Sequence, residues 1–283
     1  MKLARFSTGE ASELGVVVGE TVVPLATDPG LPTDMIALIE RWDELAGEVR
    51  ALSERGRDAV PLAQARLLAP LVRPSKIFAI GLNYADHVAE SGLETPKHQL
   101  WFAKAPGTVA GPVDGVEIPR VSTKIDYEVE LVAVIGKRGR HISVEDAPGY
   151  VFGFCVGNDV SVRDWQTQTA QWTLGKSFDT HGPIGPYITT TEDLGDPHHL
   201  AIRSIVNGEV RQSSNTRHLI FNVWDQIAHL SKAMTLEPGD LIFTGTPGGV
   251  GLAMNPPQFL GVGDVVRCEI EQLGAIENRM VAE

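Results

Sequence analysis

The sequence predicts a β-rich α+β fold, made of a small N-terminal domain and a larger second domain. The chain of 283 residues is long enough to hold a small domain plus a large one. Beyond residue 72 it carries many short runs of apolar, β-branched residues separated by glycine and proline, with few long helical stretches. This pattern is typical of an α+β domain and not of alternating βαβ units.

The first 72 residues form the predicted small domain. Two β-rich runs flank Gly19 and Glu20, which predicts a hairpin over residues 15–24. A helix is predicted over residues 33–53, with Thr33 as its N-cap and apolar side chains along one face. A proline-rich segment follows and interrupts the pattern, so the two domains are predicted to be residues 1–72 and 73–283.

The second domain is predicted to consist mainly of short strands. Two helices are expected, a short one near residues 84–91 and a longer one near 219–234. The predicted strands are residues 76–82, 115–118, 127–135, 150–158, 184–190, 200–206, 240–244 and 264–270.

The overall charge restricts the possible partners. The formal net charge is −12, with 24 basic against 36 acidic residues, which argues against binding to nucleic acid or to an anionic membrane. No apolar run is long enough to span a membrane, and we expect no signal peptide, because residues 1–15 lack an apolar segment. The two cysteines, Cys155 and Cys268, lie in apolar strand-like segments and fit a reducing compartment. We therefore expect a cytoplasmic protein.

Acidic residues on a buried strand predict a divalent-metal site. Asp126, Glu128 and Glu130 precede the apolar residues 131–135, and side chains alternate between the two faces of a strand. All three carboxylates should then share one face, where burial is costly unless a cation neutralises them. Asp159, at the end of the next predicted strand, could complete an all-oxygen site for Mg²⁺ or Mn²⁺. The alternatives are an exposed acidic strand end and a turn aspartate.

A histidine and a glutamate form a candidate catalytic pair. His87 and Glu90 are three residues apart on the short predicted helix, so their side chains can touch. A carboxylate that orients a histidine and stabilises its imidazolium makes it a general base. Asn83 is the predicted N-cap of this helix, and Gly92 the residue that ends it. An ordinary surface pair is the alternative.

Several polar side chains could bind an anionic substrate. Lys104 and Lys176 lie in apolar surroundings, while Arg163 and Gln166 closely follow the acidic residue at 159. The lysines could instead extend to solvent. Thr246 belongs to a glycine-rich loop that could offer N–H groups and a hydroxyl to an oxyanion, or could form a plain turn.

These motifs, in this order, resemble the fumarylacetoacetate hydrolase family. The matching stretches are GLNYADH at 81–87, YEVEL at 127–131, GNDVSVRD at 157–164, LGKSF at 174–178 and TGTP at 244–247. With their spacers they cover roughly residues 74–270. The resemblance implies a small N-terminal domain, a mixed β-sandwich or β-roll catalytic domain, and a homodimer. It is strongest to bacterial acylpyruvases, 2,4-diketo-3-deoxy sugar-acid hydrolases and hydroxydienoate isomerases.

The resemblance also implies residue roles. Mg²⁺ or Mn²⁺ would be held by Glu128, Glu130 and Asp159, with Asp126 not expected to be a ligand. The catalytic pair would be His87 and Glu90, on a segment that acts as a lid.

The same resemblance implies how substrate is bound. Lys176 and Thr246 would contact the substrate, with Lys176 among the catalytic groups. Arg163 and Gln166 match positions that contact the substrate carboxylate in some members. The expected ligand is a small anionic 2-oxo acid.

The resulting hypothesis is metal-dependent hydrolysis of a C–C bond in a 2,4-dioxo acid, such as an acylpyruvate, with release of pyruvate. His87 would deprotonate the attacking water. The same groups could decarboxylate a β-oxo acid such as oxaloacetate or interconvert keto and enol forms. A non-catalytic protein that binds 2-oxo acids is the alternative from a different class.

Overall fold

The computed structural model describes residues 1–92 and 94–283, and it confirms a mostly β protein with mixed sheets. The N-terminal part contains helices α1 (Met35–Glu40) and α2 (Trp42–Arg55). Its strands are β1 (Lys2–Ser7), β2 (Glu13–Val18), β3 (Thr21–Pro24), β4 (Val60–Pro61) and β5 (Arg66–Leu68). The predicted hairpin is confirmed, because β2 and β3 pair antiparallel across Gly19 and Glu20.

The rest of the chain contains fourteen strands and four α-helices within the described residues. The helices are α3 (Ala85–Ser91), α4 (Arg163–Gln166), α5 (Thr191–Leu194) and α6 (Val223–Ala233). The strands are β6 (Ile77–Gly81), β7 (Leu100–Lys104), β8 (Val109–Ala110), β9 (Val116–Ile118), β10 (Ile125–Asp126), β11 (Val129–Ile135), β12 (Val151–Asn158), β13 (Ser161–Val162), β14 (Gly182–Thr190), β15 (Ala201–Val206), β16 (Glu209–Asn215), β17 (Leu241–Phe243), β18 (Val265–Ile270) and β19 (Gly274–Ala282). No helix in the described part of the chain is long and apolar enough to cross a membrane.

One large sheet joins the two parts of the chain. Its strand order is β4-β3-β2-β1-β14-β12-β11-β17-β6-β7, with β5 on β1 and β8 on β14. A second sheet has the order β16-β15-β18-β19-β9, and β10 pairs with β13. Most neighbours are antiparallel, but β17 and β6 are parallel.

The central strand β11 is buried on both faces. Val129, Leu131 and Ala133 belong to one apolar cluster, while Val132 and Val134 belong to another. The alternation places Glu130 on the same face as Val132 and Val134. The Glu130 carboxylate, near the start of the strand, is therefore buried next to the core, as the sequence predicts.

Strand directions bring several loops to one edge of the large sheet. The parallel strands β6 and β17 end there, and the antiparallel strand β11 begins there. Strand β12 ends beside the start of β11, with Asn158 opposite Val129. The segments that follow β6, β12 and β17 therefore meet around the first residues of β11.

The prediction of one continuous helix over residues 33–53 is wrong. It is divided at Arg41, whose φ of −106° and ψ of 15° leave the helical region. The side chain of Asp34, and not of Thr33, accepts the capping hydrogen bond from Ala37 N–H. The break lets the Trp42 ring pack edge-on against Phe152 at 5.1 Å. Tertiary packing thus overrides the helical periodicity.

Candidate metal and substrate site

Three buried carboxylates meet where β12 ends and β11 begins. One carboxylate oxygen from each of Glu128, Glu130 and Asp159 lies within 4.8 Å of the others. The backbone holds them there, because Asp159 N–H donates to the Glu128 carbonyl at 2.9 Å. The Asn158 side chain accepts a hydrogen bond from Glu128 N–H at 2.9 Å. Antiparallel pairing of two strands therefore assembles residues that are about 30 positions apart in sequence.

Asp126 does not continue this cluster along the strand as predicted. Asp126 belongs to β10, and the strand pairing is interrupted before β11 starts at Val129. Its carboxylate instead accepts hydrogen bonds from Gly251 N–H at 2.8 Å and Leu252 N–H at 2.9 Å. It also accepts one from Arg163 Nε at 2.8 Å. Period-two alternation fails at this residue because the strand is not continuous.

Two cations neutralise part of the acidic cluster. Lys176 Nζ lies 2.6 Å from both Glu128 Oε2 and Asp159 Oδ2. Arg163 Nη2 lies 2.8 Å from Glu128 Oε1. Burial raises the pKa of Glu128, but Lys176 and Arg163 together lower it to about 2. Burial lowers the pKa of Lys176, and the adjacent Asp159 and Glu128 more than reverse this effect.

Lys104 contacts Asp159 and does not line the cavity described below. Its Nζ donates to Asp159 Oδ1 at 2.6 Å and to the carbonyls of Lys176 and His181 at 2.5 and 3.1 Å. These contacts use the three hydrogens of an ammonium group. Burial lowers the pKa of Lys104 despite the carboxylate. The structure thus gives Lys104 a place in orienting Asp159, and its predicted contact with substrate stays a prediction.

Glu130 carries the charge that these cations leave unbalanced. Four carboxylates, those of Asp126, Glu128, Glu130 and Asp159, face three cations, those of Lys104, Arg163 and Lys176. Gly245 N–H donates to Glu130 Oε2 at 2.8 Å. Burial, with Asp159 and Glu128 nearby, raises the pKa of Glu130 well above its ordinary value. An all-oxygen set with surplus buried negative charge fits Mg²⁺ or Mn²⁺.

The predicted catalytic pair lies on α3. His87 Nδ1 is 3.5 Å from Glu90 Oε2, which is longer than an ordinary hydrogen bond. The Glu90 carboxylate accepts from Gly249 N–H at 2.9 Å, which ties the helix to the glycine-rich loop. The left-handed Gly92 ends the helix, as predicted.

Asn83 is not the N-cap of α3. Tyr84 occupies that position, and no side chain caps the helix. The Asn83 Nδ2 instead donates to the carbonyls of Thr244 and Phe221 at 2.7 and 3.0 Å, and its Oδ1 accepts from Phe221 N–H at 2.9 Å. The buried amide therefore connects three separate segments at the sheet edge.

We expect Asn83→Ala to destabilise the protein by about 1–3 kcal/mol, because it leaves buried backbone groups without partners. Urea unfolding, followed by circular dichroism, would measure this change. A loss below about 0.5 kcal/mol, which is typical of neutral surface changes, would contradict the assigned role of Asn83.

Thr246 faces the site with its hydroxyl already engaged. Its Oγ1 donates to the Val129 carbonyl at 2.9 Å and accepts from Gln212 Nε2 at 2.7 Å. Gln212 is fully buried, and its Oε1 also accepts from Val129 N–H at 3.0 Å. Gln166 accepts from Arg163 Nη1 at 2.9 Å. Gln212 thus supports the site from β16, and no local sequence pattern points to it.

A cavity of about 240 Å³ connects most of these groups. Nine of its lining residues are predicted site residues or belong to the motifs around them, namely Gly81, Leu82, His87, Glu128, Glu130, Arg163, Gln166, Lys176 and Thr246. Thr167 adds a further polar side chain. The wall is completed by Ile80, Phe102, Trp172, Val250 and Leu252. The sequence motifs give no reason to expect Phe102 and Trp172 in this wall, because their contacts arise only through space.

Comparison with known families assigns the two parts of the chain. Residues 76–281 match the family described as "Fumarylacetoacetate (FAA) hydrolase C-terminal". The chain belongs to the fumarylacetoacetate hydrolase family. Residues 1–70 match the family described as "Rv2993c-like, N-terminal". The predicted resemblance is confirmed.

Individual family members similar to this chain differ in reaction. An oxaloacetate tautomerase of Rattus norvegicus, named as mitochondrial, is 44% identical over 99% of this chain and 92% of its own length. The fumarylacetoacetate hydrolase of Exiguobacterium antarcticum is 36% identical with a TM-score of 0.90, and both chains are covered completely. Maleylpyruvate hydrolase of Sphingobium sp. SYK-6, solved with manganese(II) and pyruvate, is 34% identical with a TM-score of 0.85, covering 100% of this chain and 99% of that one.

Proposed function

We propose that this protein is a Mg²⁺- or Mn²⁺-dependent enzyme that enolises a small 2-oxo acid. The observation that carries the proposal is that the His87 imidazole lines the same cavity as the carboxylates of Glu128 and Glu130. A proton-transfer group and a cation-binding group thus face the same small space. The similar maleylpyruvate hydrolase was solved in complex with manganese(II) and pyruvate, which supports both the metal and the substrate class.

The metal would be held by Glu128, Glu130 and Asp159, whose oxygens converge within 4.8 Å. When bound, it would supply positive charge that stabilises the negative charge developing on substrate oxygen. Arg163 and Lys176 would add electrostatic attraction for the substrate carboxylate from the same cavity wall.

His87 would move the proton. It would take a proton from the carbon beside the 2-oxo group, and the electron pair left on that carbon would form the enolate. The Glu90 carboxylate, 3.5 Å from His87 Nδ1, would stabilise the imidazolium. Return of the proton to oxygen gives the enol, so tautomerisation requires no second proton-transfer group beside this pair. Retention of such a base argues against a protein that only binds 2-oxo acids.

We take keto–enol tautomerisation as the first candidate reaction, because the 44% identical relative is an oxaloacetate tautomerase. Hydrolysis of the C–C bond in an acylpyruvate is the second candidate, and the maleylpyruvate hydrolase supports it. In that reaction His87 would take its proton from water, which adds to the distal carbonyl. The C–C electron pair would then leave on the pyruvate fragment as an enolate. Decarboxylation of oxaloacetate would reach the same enolate by losing carbon dioxide.

Cytoplasmic location stays a prediction, since the rat relative is named as mitochondrial.

Chelation of divalent metal should reduce turnover by at least about 10³-fold, and Mn²⁺ should restore it. The measurement is a panel with and without chelator: decay of the enol absorbance of oxaloacetate, pyruvate release from acylpyruvates, and carbon dioxide release. Metal-dependent enol decay alone would identify a tautomerase, whereas pyruvate release would identify a hydrolase. Turnover that is unchanged by thorough chelation would contradict the proposal.

A further inference from the structure

Asp126 is a fully buried carboxylate to which the proposed metal site and proton transfer give no role. Its Oδ1 accepts hydrogen bonds from the N–H groups of Tyr127 and Gly251 at 2.9 and 2.8 Å. Its Oδ2 accepts from Leu252 N–H at 2.9 Å and lies 2.8 Å from both Nε and Nη2 of Arg163. Two carboxylate oxygens offer about four lone-pair directions, and these contacts engage all of them. The carboxylate therefore acts only through the groups that it holds.

Asp126 determines which part of the Arg163 guanidinium is available to a ligand. The Nε–Nη2 edge spans Asp126 Oδ2, and Nη2 also lies 2.8 Å from Glu128 Oε1. Nη1 donates to Gln166 Oε1 at 2.9 Å. These contacts engage four of the five N–H groups of a guanidinium, so one N–H on Nη1 has no partner among the described residues. Because Arg163 lines the cavity, this N–H is the one that it can offer to a ligand.

The same carboxylate also fixes a loop of the cavity wall. Val250 and Leu252 line the cavity, and Gly251 lies between them. A Cβ at Gly251 would lie 2.8 Å from Asp126 Oδ1 and closer still to the Gln258 carbonyl oxygen, which leaves no room for a side chain. Glycine lets the backbone approach the carboxylate at this point. One buried carboxylate thus holds both a cation and a part of the wall in place.

Charge balance does not explain Asp126. The four carboxylates of the cluster already exceed the three cations by one, so an uncharged residue at position 126 would bring the buried charges into balance. Without Asp126, however, Glu128 would be the one carboxylate among the described residues that contacts Arg163. The guanidinium would then be free to turn fully toward Glu128, since arginine favours bidentate pairing with a carboxylate. Asp126 therefore supplies orientation.

We propose that Asp126 is a positioning residue, which holds Arg163 in the orientation that binds the substrate carboxylate. The inference rests on the proposed function, in which Arg163 attracts that carboxylate. The substrate carboxylate carries the same charge in the keto acid, the enolate and the enol, so its contact with Arg163 contributes equally before and during proton transfer. Loss of Asp126 should therefore weaken substrate binding and leave the conversion of bound substrate almost unchanged. This applies to oxaloacetate and to an acylpyruvate alike, because both carry a carboxylate beside the 2-oxo group.

Asp126→Asn tests the proposal with little change in size. An amide has one oxygen and one NH₂ group, so in either orientation the NH₂ group faces N–H donors that the carboxylate accepts. With Mn²⁺ saturating, the KM for the substrate and the Kd for pyruvate should each rise about tenfold, which is typical of losing one charge-assisted hydrogen bond. The kcat should stay within about threefold of the parent value. Steady-state kinetics and calorimetric titration with pyruvate measure these quantities.

Arg163→Gln shows whether Asp126 acts through Arg163. In the Arg163→Gln background, Asp126→Asn should change the Kd for pyruvate by less than about twofold, because the group that it positions is gone. A residue with an independent effect on the fold would weaken binding by the same factor in both backgrounds. Asp126→Glu keeps the charge but moves the carboxylate by one methylene. It should give a smaller loss in the same direction, and it carries the test if the asparagine variant does not fold.

Asp240→Asn is the matched control. Asp240 is 2% exposed, pairs with Lys76 Nζ at 2.9 Å and accepts from Glu237 N–H at 2.7 Å, but it does not line the cavity. This variant also loses a buried, paired carboxylate, so it reports any general effect of such a loss. Its Kd for pyruvate should stay within about twofold of the parent value.

The outcomes separate this inference from the proposed function. The positioning role alone would be overturned if Asp126→Asn left the KM and the Kd for pyruvate unchanged, or if Asp240→Asn weakened pyruvate binding equally. Fully multiplicative effects of the Asp126 and Arg163 substitutions, or a fall in kcat at unchanged KM, would overturn it as well. Failure of the parent protein to bind pyruvate in the presence of Mn²⁺ would overturn the proposed function, and the positioning role with it.

Discussion

Glu130→Gln should abolish metal-dependent turnover and yet make the metal-free protein more stable. Glu130 is one of three carboxylates whose oxygens converge within 4.8 Å, so a neutral amide removes one candidate anionic ligand. We expect turnover to fall by at least about 10³-fold and stabilisation by added Mn²⁺ to be lost. Thermal unfolding with and without Mn²⁺ measures the second effect directly.

The gain in stability follows from the unbalanced charge of Glu130. The pKa of this buried group is raised well above its ordinary value in the folded, metal-free protein. Because the folded pKa exceeds the unfolded one, stability is lost as pH rises from the ordinary carboxyl range toward neutrality. Glutamine carries no charge to desolvate. We therefore expect Glu130→Gln to raise the free energy of unfolding of the metal-free protein at pH 7, and to leave it unchanged at pH 4.

Glu128→Gln is the matched control, with the opposite expected sign. It also removes a candidate metal ligand, but Glu128 is paired with Lys176 at 2.6 Å and Arg163 at 2.8 Å. Its loss leaves buried cations short of a partner, which should destabilise the metal-free protein by about 3 kcal/mol. If both variants shift the unfolding temperature in the same direction without metal, the assigned charge balance is wrong.

How well the sequence predicts this site depends on how far apart in the chain the interacting residues lie. Glu128 and Glu130 follow from alternation along one strand, and Asp159 from the end of its antiparallel neighbour. Asp126 departs from the pattern because β10 and β11 are separate strands. The strand alternation holds only where the ladder is continuous, and the sequence alone does not show where it breaks.

Contacts between segments that are far apart in the sequence are a second feature that the sequence alone does not predict. Gln212 reaches Thr246 and Val129 from β16, and Trp172 fits against Gly81 across about 90 residues of chain. No periodicity or motif encodes such pairs, because they depend on how sheets and loops pack. The division of the N-terminal helix at Arg41 is equally absent from the local pattern, and the Trp42 ring that follows it packs on Phe152, far along the chain.

His87→Ala should reduce turnover by about 10²–10⁴-fold while leaving Mn²⁺ binding intact. His87 lines the cavity but is not among the three converging carboxylates, so its loss removes proton transfer without removing a ligand. Turnover and Mn²⁺ affinity, measured on the same preparation, separate these two roles. Added imidazole should restore part of the rate, because the truncated side chain leaves space in the cavity.

Two further variants test whether His87 itself acts as the general base. Glu90→Gln keeps an oxygen for Gly249 N–H but loses the charge that stabilises an imidazolium 3.5 Å away, so we expect a smaller loss of about tenfold. His229→Ala, on the exposed face of α6, is the matched control and should change neither quantity. If His87→Ala retained turnover within threefold of the parent, the base would lie elsewhere in the cavity. If its Mn²⁺ affinity fell as far as its rate, His87 would act by supporting the metal site and not by moving a proton.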